Sequence, residues 1–190
     1  EVWASKVVDY LEARPDIVAL TGPGVLRAEQ AMAALEAGIH VLAEKPFTID
    51  PADAWAIDRL ARERGLHVLL CYAWNEMGIV EQARRLVAGP DGIGEVEHVA
   101  VEMATVVRGL LLDGTTYLGE ADVQVPQRAT WSDPTISGGG YGQAQLTHVL
   151  GLMLRLVPGL RAAQVAAFTG GQGARVELHD ALVVRFDSGA

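Results

Sequence analysis

Three short apolar runs, spaced by two segments of helical periodicity, constrain this chain more than any other feature. Asp16-Ile17-Val18-Ala19-Leu20-Thr21 is the first run, and it ends in Gly22-Pro23-Gly24. Arg27 to Ala37 then repeats apolar residues at helical spacing (Ala28, Ala31, Met32, Leu35) and stops at Gly38, a residue suited to a helix C-terminus. Ile39-His40-Val41-Leu42-Ala43 is the second run. Asp50 is placed to cap a second helix, with Pro51 at its first position and Gly65 at its end. Leu66 to Leu70 is the third run, followed by Cys71. Continuous apolar strands alternating with helices predict a parallel sheet covered on both faces, with right-handed crossovers. Ligands of such sheets gather beyond the carboxyl ends of the strands. Here those ends are Gly22-Pro23-Gly24, Glu44-Lys45-Pro46 and Tyr72-Ala73-Trp74-Asn75.

The rhythm changes after Asn75. Ile79 to Val87 reads as a helix, ended by Gly89-Pro90, and Val96 to Val107 partly alternates like a half-exposed antiparallel strand. A stretch from about Leu111 to Gly140 is rich in Gly, Thr, Asp and Pro and reads as a long irregular loop. Tyr141 to Leu156 is an apolar helix, and Ala163 to Thr169 and Arg175 to Phe186 are two further strands. The expected organisation is α/β over residues 1–75 and a second, α+β domain over residues 76–190.

A net charge of −9 argues against nucleic acid or an anionic membrane as a partner. The single cysteine, Cys71, excludes an intrachain disulfide and reads as a small apolar core residue. No metal-ligand pattern stands out. A cytoplasmic location is expected from the absence of disulfides, of a membrane-length apolar run and of a visible signal peptide.

Two constellations can carry chemistry. Lys45 follows a buried strand, so its ammonium is expected at the crevice edge, where it can hydrogen-bond a substrate hydroxyl and stabilise an alkoxide. A solvated loop lysine is the competing reading, and the tripeptide alone favours it. The second is Gly138-Gly139-Gly140-Tyr141-Gly142-Gln143-Ala144-Gln145-Leu146-Thr147-His148, a triple glycine opening a helix that carries a histidine. In a regular α-helix Tyr141, Gln145 and His148 share one face. A neutral imidazole there can take a hydroxyl proton near neutral pH. A core histidine satisfied by one hydrogen bond fits the same pattern.

Taken together, a strand-end Glu44-Lys45-Pro46 and a Gly-Gly-Gly helix with His148 resemble the Gfo/Idh/MocA family (glucose–fructose oxidoreductase and inositol dehydrogenase type). Ala33-Ala34-Leu35-Glu36-Ala37-Gly38-Ile39-His40-Val41-Leu42-Ala43-Glu44-Lys45-Pro46 is similar to its central signature. Thr21-Gly22-Pro23-Gly24 stands where that family has a Thr-Pro-Asn type turn. Ile93-Gly94-Glu95-Val96 resembles the entry to its second domain, and Trp131-Ser132-Asp133-Pro134 the segment before the glycines.

The resemblance implies the C-terminal half of a Rossmann-type parallel sheet, followed by an α+β domain with an open, mostly antiparallel sheet. It implies NAD or NADP, a sugar, polyol or related hydroxy compound as substrate, and a homo-oligomer formed through the open sheet. It places Lys45 and His148 as catalytic residues, and Thr21, Gly22, Pro23, Gly24, Glu44 and Lys45 beside the cofactor. Tyr141, Gln145 and Trp131 are the candidate substrate contacts.

There are two departures from the family pattern. An aspartate is often found four residues before the histidine, and Ala144 stands there. This favours a competing reading, a non-catalytic relative that binds a dinucleotide or sugar. No G-x-G-x-x-G is present, so the pyrophosphate-holding strand–turn–helix is expected to lie outside these residues. The chain is therefore expected to be a fragment, and by itself a poor binder of NAD.

Overall fold

The computed structural model describes residues 11–113 and 129–189. They form two compact units, one of residues 11–71 with 135–138 and one of residues 72–113, 129–134 and 139–189.

The first unit is a three-stranded parallel sheet in the order β1 (Ile17–Leu20), β2 (His40–Glu44), β3 (Val68–Cys71). Helix α1 (Gly24–Glu36) links β1 to β2, and α2 (Pro51–Arg64) links β2 to β3. The local signals read from the sequence act as expected. The Asp50 side chain accepts a hydrogen bond from the Ala52 amide at 2.8 Å, Pro51 opens the helix, and Gly65 closes it in the left-handed conformation. Gly38 takes the same conformation just beyond α1. The core lies between the helices and one face of the sheet, built from Leu20, Leu35, Val41, Ala43 and Ile57. Each large aliphatic side chain buried there contributes about 1.5–3 kcal/mol relative to exposure.

The coverage of the sheet differs from the sequence reading. Strand order follows chain order, so two crossovers of one hand bring α1 and α2 to the same face, where they pack together. Among the described residues the other face is open, leaving Ile17 49% and Leu69 57% exposed. Cys71 shares that face and is half-buried, not a core residue.

In the second unit a 3₁₀ turn (Ala73–Glu76) leads into α3 (Gly78–Ala88). Val96 to Val107 is not a strand, because no described strand runs beside it to complete a ladder. The stretch read as one long loop contains three short helices, α4 (Arg108–Asp113), α5 (Ala129–Ser132) and α6 (Pro134–Ser137), while residues 114–128 lie outside the described chain. The apolar helix expected over Tyr141 to Leu156 begins as a π-turn (Gly142–Leu146) before α7 (Thr147–Leu156). β4 (Ala162–Gly170) and β5 (His179–Phe186) pair antiparallel. Arg175 to Leu178, expected as strand, precedes β5. Val176 and Leu178 instead bury into a small core with Val107 and Leu111. Among the described residues no helix is long and apolar enough to cross a membrane.

Candidate active site

In the first unit the carboxyl ends of β1 and β2 carry Thr21–Gly24 and Glu44–Pro46. Pro23 precedes α1 with extended backbone and offers no side-chain cap. A Cβ placed on Gly24 would meet only the Pro46 carbonyl oxygen at 3.8 Å and the Arg27 guanidinium at 3.9 Å, both ordinary contacts. The protein's own packing therefore does not require glycine there, and the missing side chain leaves room for an approaching ligand. The Lys45 amide donates to the Glu44 carboxylate at 3.2 Å, and the Lys45–Pro46 bond is cis. Lys45 is partly buried. That burial lowers its pKa from the usual lysine value, and the nearby Glu44 charge partly offsets the effect.

The residue that sequence reasoning missed in this unit is Arg27. It lies in the first turn of α1 and is 3% exposed. Its guanidinium donates to the carbonyls of Gly22 and Pro46, with a longer bond of 3.5 Å to that of Phe47. Burial lowers its pKa, against the raising effect of Glu44.

In the second unit His148 stacks on Trp74, with ring centroids 4.7 Å apart and planes at 24°, and meets the Tyr72 ring edge-on at 6.4 Å. The Tyr72 hydroxyl bonds the Thr147 hydroxyl at 2.8 Å, and Asn75 donates to the Gly151 carbonyl at 3.2 Å. The Tyr72–Asn75 segment thus fixes the first turns of α7 and gives the imidazole an aromatic platform. The aromatic pair around Ala73 was the signal for this in the sequence, where it was read only as a strand-end loop.

The other candidates have different surroundings. Tyr141 donates to the Met103 carbonyl at 3.0 Å, and it and Trp131 pack against the core around Leu111 and Val176. Gln145 is half-buried within the π-turn. That turn adds residues per revolution, so the spacing that aligns Tyr141, Gln145 and His148 in a regular α-helix is lost. Tyr141 lines a cavity of about 260 Å³ with Thr105, Arg108, His179 and Asp180. A second cavity, of about 660 Å³, lies in the first unit against Trp55, Leu66 and Val68. Lys45 and His148 line neither.

Two carboxylates meet the start of the histidine helix. Glu177 accepts from the Gly140 amide at 2.6 Å. Asp180 lies beside Gly142, and burial followed by the Glu177 charge raises its pKa, against the Gly142 amide and His179. Ala144, one turn before His148, is 3% exposed. Ala144→Asp would bury a carboxylate there and raise its pKa above the unfolded value. The resulting stability penalty is absent below the unfolded pKa and grows as pH rises through the folded one. Thermal melts should show a larger loss against the parent at about pH 8 than at about pH 4. An equal loss at both would show that the new carboxylate reaches solvent.

Residues 1–72 match the family described as the oxidoreductase family, NAD-binding Rossmann fold. Over this segment the chain is similar to the Gfo/Idh/MocA oxidoreductases. Among curated relatives, UDP-N-acetylglucosamine 3-dehydrogenase of Acidithiobacillus ferrooxidans is 32% identical over 93 residues, covering 49% of this chain and 30% of that protein. The dTDP-3,4-didehydro-2,6-dideoxy-alpha-D-glucose 3-reductase of Actinomadura kijaniata is 53% identical over 51 residues, 27% of this chain and 15% of that one. An inositol dehydrogenase homologue from Azotobacter vinelandii, solved with NAD+, superposes with a TM-score of 0.73 at 23% identity, covering 97% of this chain and 47% of its own. The fold is thus shared along the length of the chain, and the chain spans about half of that solved structure.

Proposed function

We propose that this chain is part of a cytoplasmic NAD- or NADP-dependent oxidoreductase that moves hydride between a nicotinamide and a carbon bearing a hydroxyl on a sugar or polyol. The observation that carries the reading is the Gfo/Idh/MocA match over the strand-end loops that hold Thr21–Gly24, Glu44 and Lys45. Thr21–Gly24 and Glu44 would border the cofactor, and the open space at Gly24 suits a close approach. When bound, the nicotinamide supplies the hydride acceptor. Lys45 hydrogen-bonds the substrate hydroxyl and stabilises the negative charge that builds on its oxygen as the carbon–hydrogen bond breaks. His148 takes the hydroxyl proton. Trp74 holds the imidazole in one orientation and offers its indole face to the imidazolium that forms. Both curated relatives are named for chemistry at carbon 3 of a sugar, so a hexose 3-hydroxyl is the first substrate to test.

Self-association through the second sheet fits the same reading. β4 is exposed along nearly its whole length, with Phe168 81% exposed and Val165 and Val183 also open.

The test is to incubate the complete protein with NAD+ or NADP+ and a panel of hexoses, glycosides, nucleotide sugars and inositols, following reduced nicotinamide by absorbance. Turnover with at least one member, lost in His148→Asn, is the expected result. A protein that binds neither dinucleotide would overturn the proposal.

A further inference from the structure

Arg27 occupies a position that is electrostatically unfavourable in three ways. The residue is 3% exposed, and burying a cation carries a large desolvation cost unless it is well paired. No carboxylate among the described residues forms an ion pair with it, and its Nε is buried without a hydrogen-bond partner. It also sits in the first turn of α1, where the helix dipole disfavours positive charge. In return it gains hydrogen bonds to carbonyls at the ends of two neighbouring strands. Gly22 belongs to the turn after β1, and Pro46 directly follows Lys45 after β2.

A tie needed only for stability could be a neutral donor in any part of the core. This one joins the two segments that the proposed reaction requires to be in register. The guanidinium suits the task because its donors are held in one rigid plane and can serve two acceptors at once. A lysine ammonium is a point donor on a flexible stem.

We infer that Arg27 is a positioning residue that locks the Thr21–Gly24 turn and the Lys45-bearing loop into one frame. The inference rests on the reading of Thr21–Gly24 and Lys45 given above. It adds to that reading a residue that touches neither cofactor nor substrate.

The experiment compares Arg27→Lys and Arg27→Gln with the parent in the complete protein. Amide hydrogen exchange is measured first, with no cofactor present. In both variants the amides of Gly22, Gly24, Lys45 and Phe47 should exchange about tenfold faster or more, while those within β1, β2 and α2 keep their protection. Loosening of only one loop, or of the whole unit together, overturns the inference, because the first denies coupling and the second makes Arg27 a general stability residue. The functional readout is independent of this. Both variants should weaken cofactor binding and lower kcat, each by about tenfold, as a misregistered site does. Unchanged kinetics in a variant whose loops have loosened also overturns it. A parent that binds no nicotinamide removes the functional reading, and the exchange data then still decide whether Arg27 couples the loops.

Discussion

Lys45→Met in the complete protein is expected to lower kcat about 10²–10³-fold, the cost of removing one preorganised donor from a developing oxyanion. Methionine keeps most of the length and apolar volume of the lysine stem, so the fold around β2 should be undisturbed. The cofactor dissociation constant should change much less than kcat, because the loss falls on the transition state and not on ground-state binding. The direction of the pKa shift adds a second signature. Burial lowers the pKa of Lys45, and Glu44 only partly restores it. In the proposed mechanism the ammonium is the form that stabilises the oxyanion, so activity should fall as pH rises through that lowered pKa, before the ordinary lysine range. Lys45→Met should lack this alkaline limb. Pre-steady-state and steady-state rates across pH check both points. A variant within about fivefold of the parent at every pH would remove Lys45 from the chemistry.

The parts of the fold that were legible in the sequence depend on neighbours within a turn or two. Gly38 and Gly65 end their helices because they supply the left-handed backbone, and Asp50-Pro51 starts α2 by capping and by a preset φ. These signals need no partner from elsewhere in the chain. Val96 to Val107 failed as a strand for the opposite reason, since alternation marks a half-exposed extended segment but cannot supply the ladder. Leu69 was read as buried because its run is apolar, whereas its exposure is set by which face the crossovers cover. The site divides in the same way. Lys45 and His148 were candidates from strand-end and helix-start patterns, and the proposal keeps them as such. Arg27 was not, because it begins an amphipathic helix as a surface arginine would. Its burial comes from docking α1 over the ends of two strands. Tyr72 and Trp74 stood out as an aromatic pair, but their partner did not, since the 73 residues between Trp74 and His148 carry no periodic signal that would bring the two rings together.

The triple glycine was read as a helix opening, and the structure shows why the third glycine is the demanding one. A Cβ on Gly140 would lie 2.0 Å from the Glu177 carbonyl oxygen, 2.8 Å from its amide nitrogen and 2.9 Å from its carbonyl carbon. All three are backbone atoms, so no rotamer change can make room. The contact is also where the histidine helix joins the segment leading to β5. The Tyr141 amide donates to the Glu177 carbonyl at 2.9 Å, and the Gly140 amide donates to the Glu177 carboxylate at 2.6 Å. Gly140→Ala must push the two segments apart, losing both bonds and opening the core of Val176, Leu178 and Leu111. The expected cost is about 3 kcal/mol or more, at the upper end for inserting one methyl group into a packed site. Gly38→Ala provides the contrast. Nothing lies within 4 Å of a Cβ there, so the only penalty is its positive φ, about 1–2 kcal/mol. Urea unfolding of both variants should therefore show a larger fall in midpoint for Gly140→Ala, with His148-dependent turnover impaired in whatever protein remains folded. Gly38→Ala should keep normal turnover per folded molecule. If Gly140→Ala instead unfolds within about 1 kcal/mol of the parent, the close approach of Gly140 to Glu177 does not exist in solution, and the position of His148 would need another support.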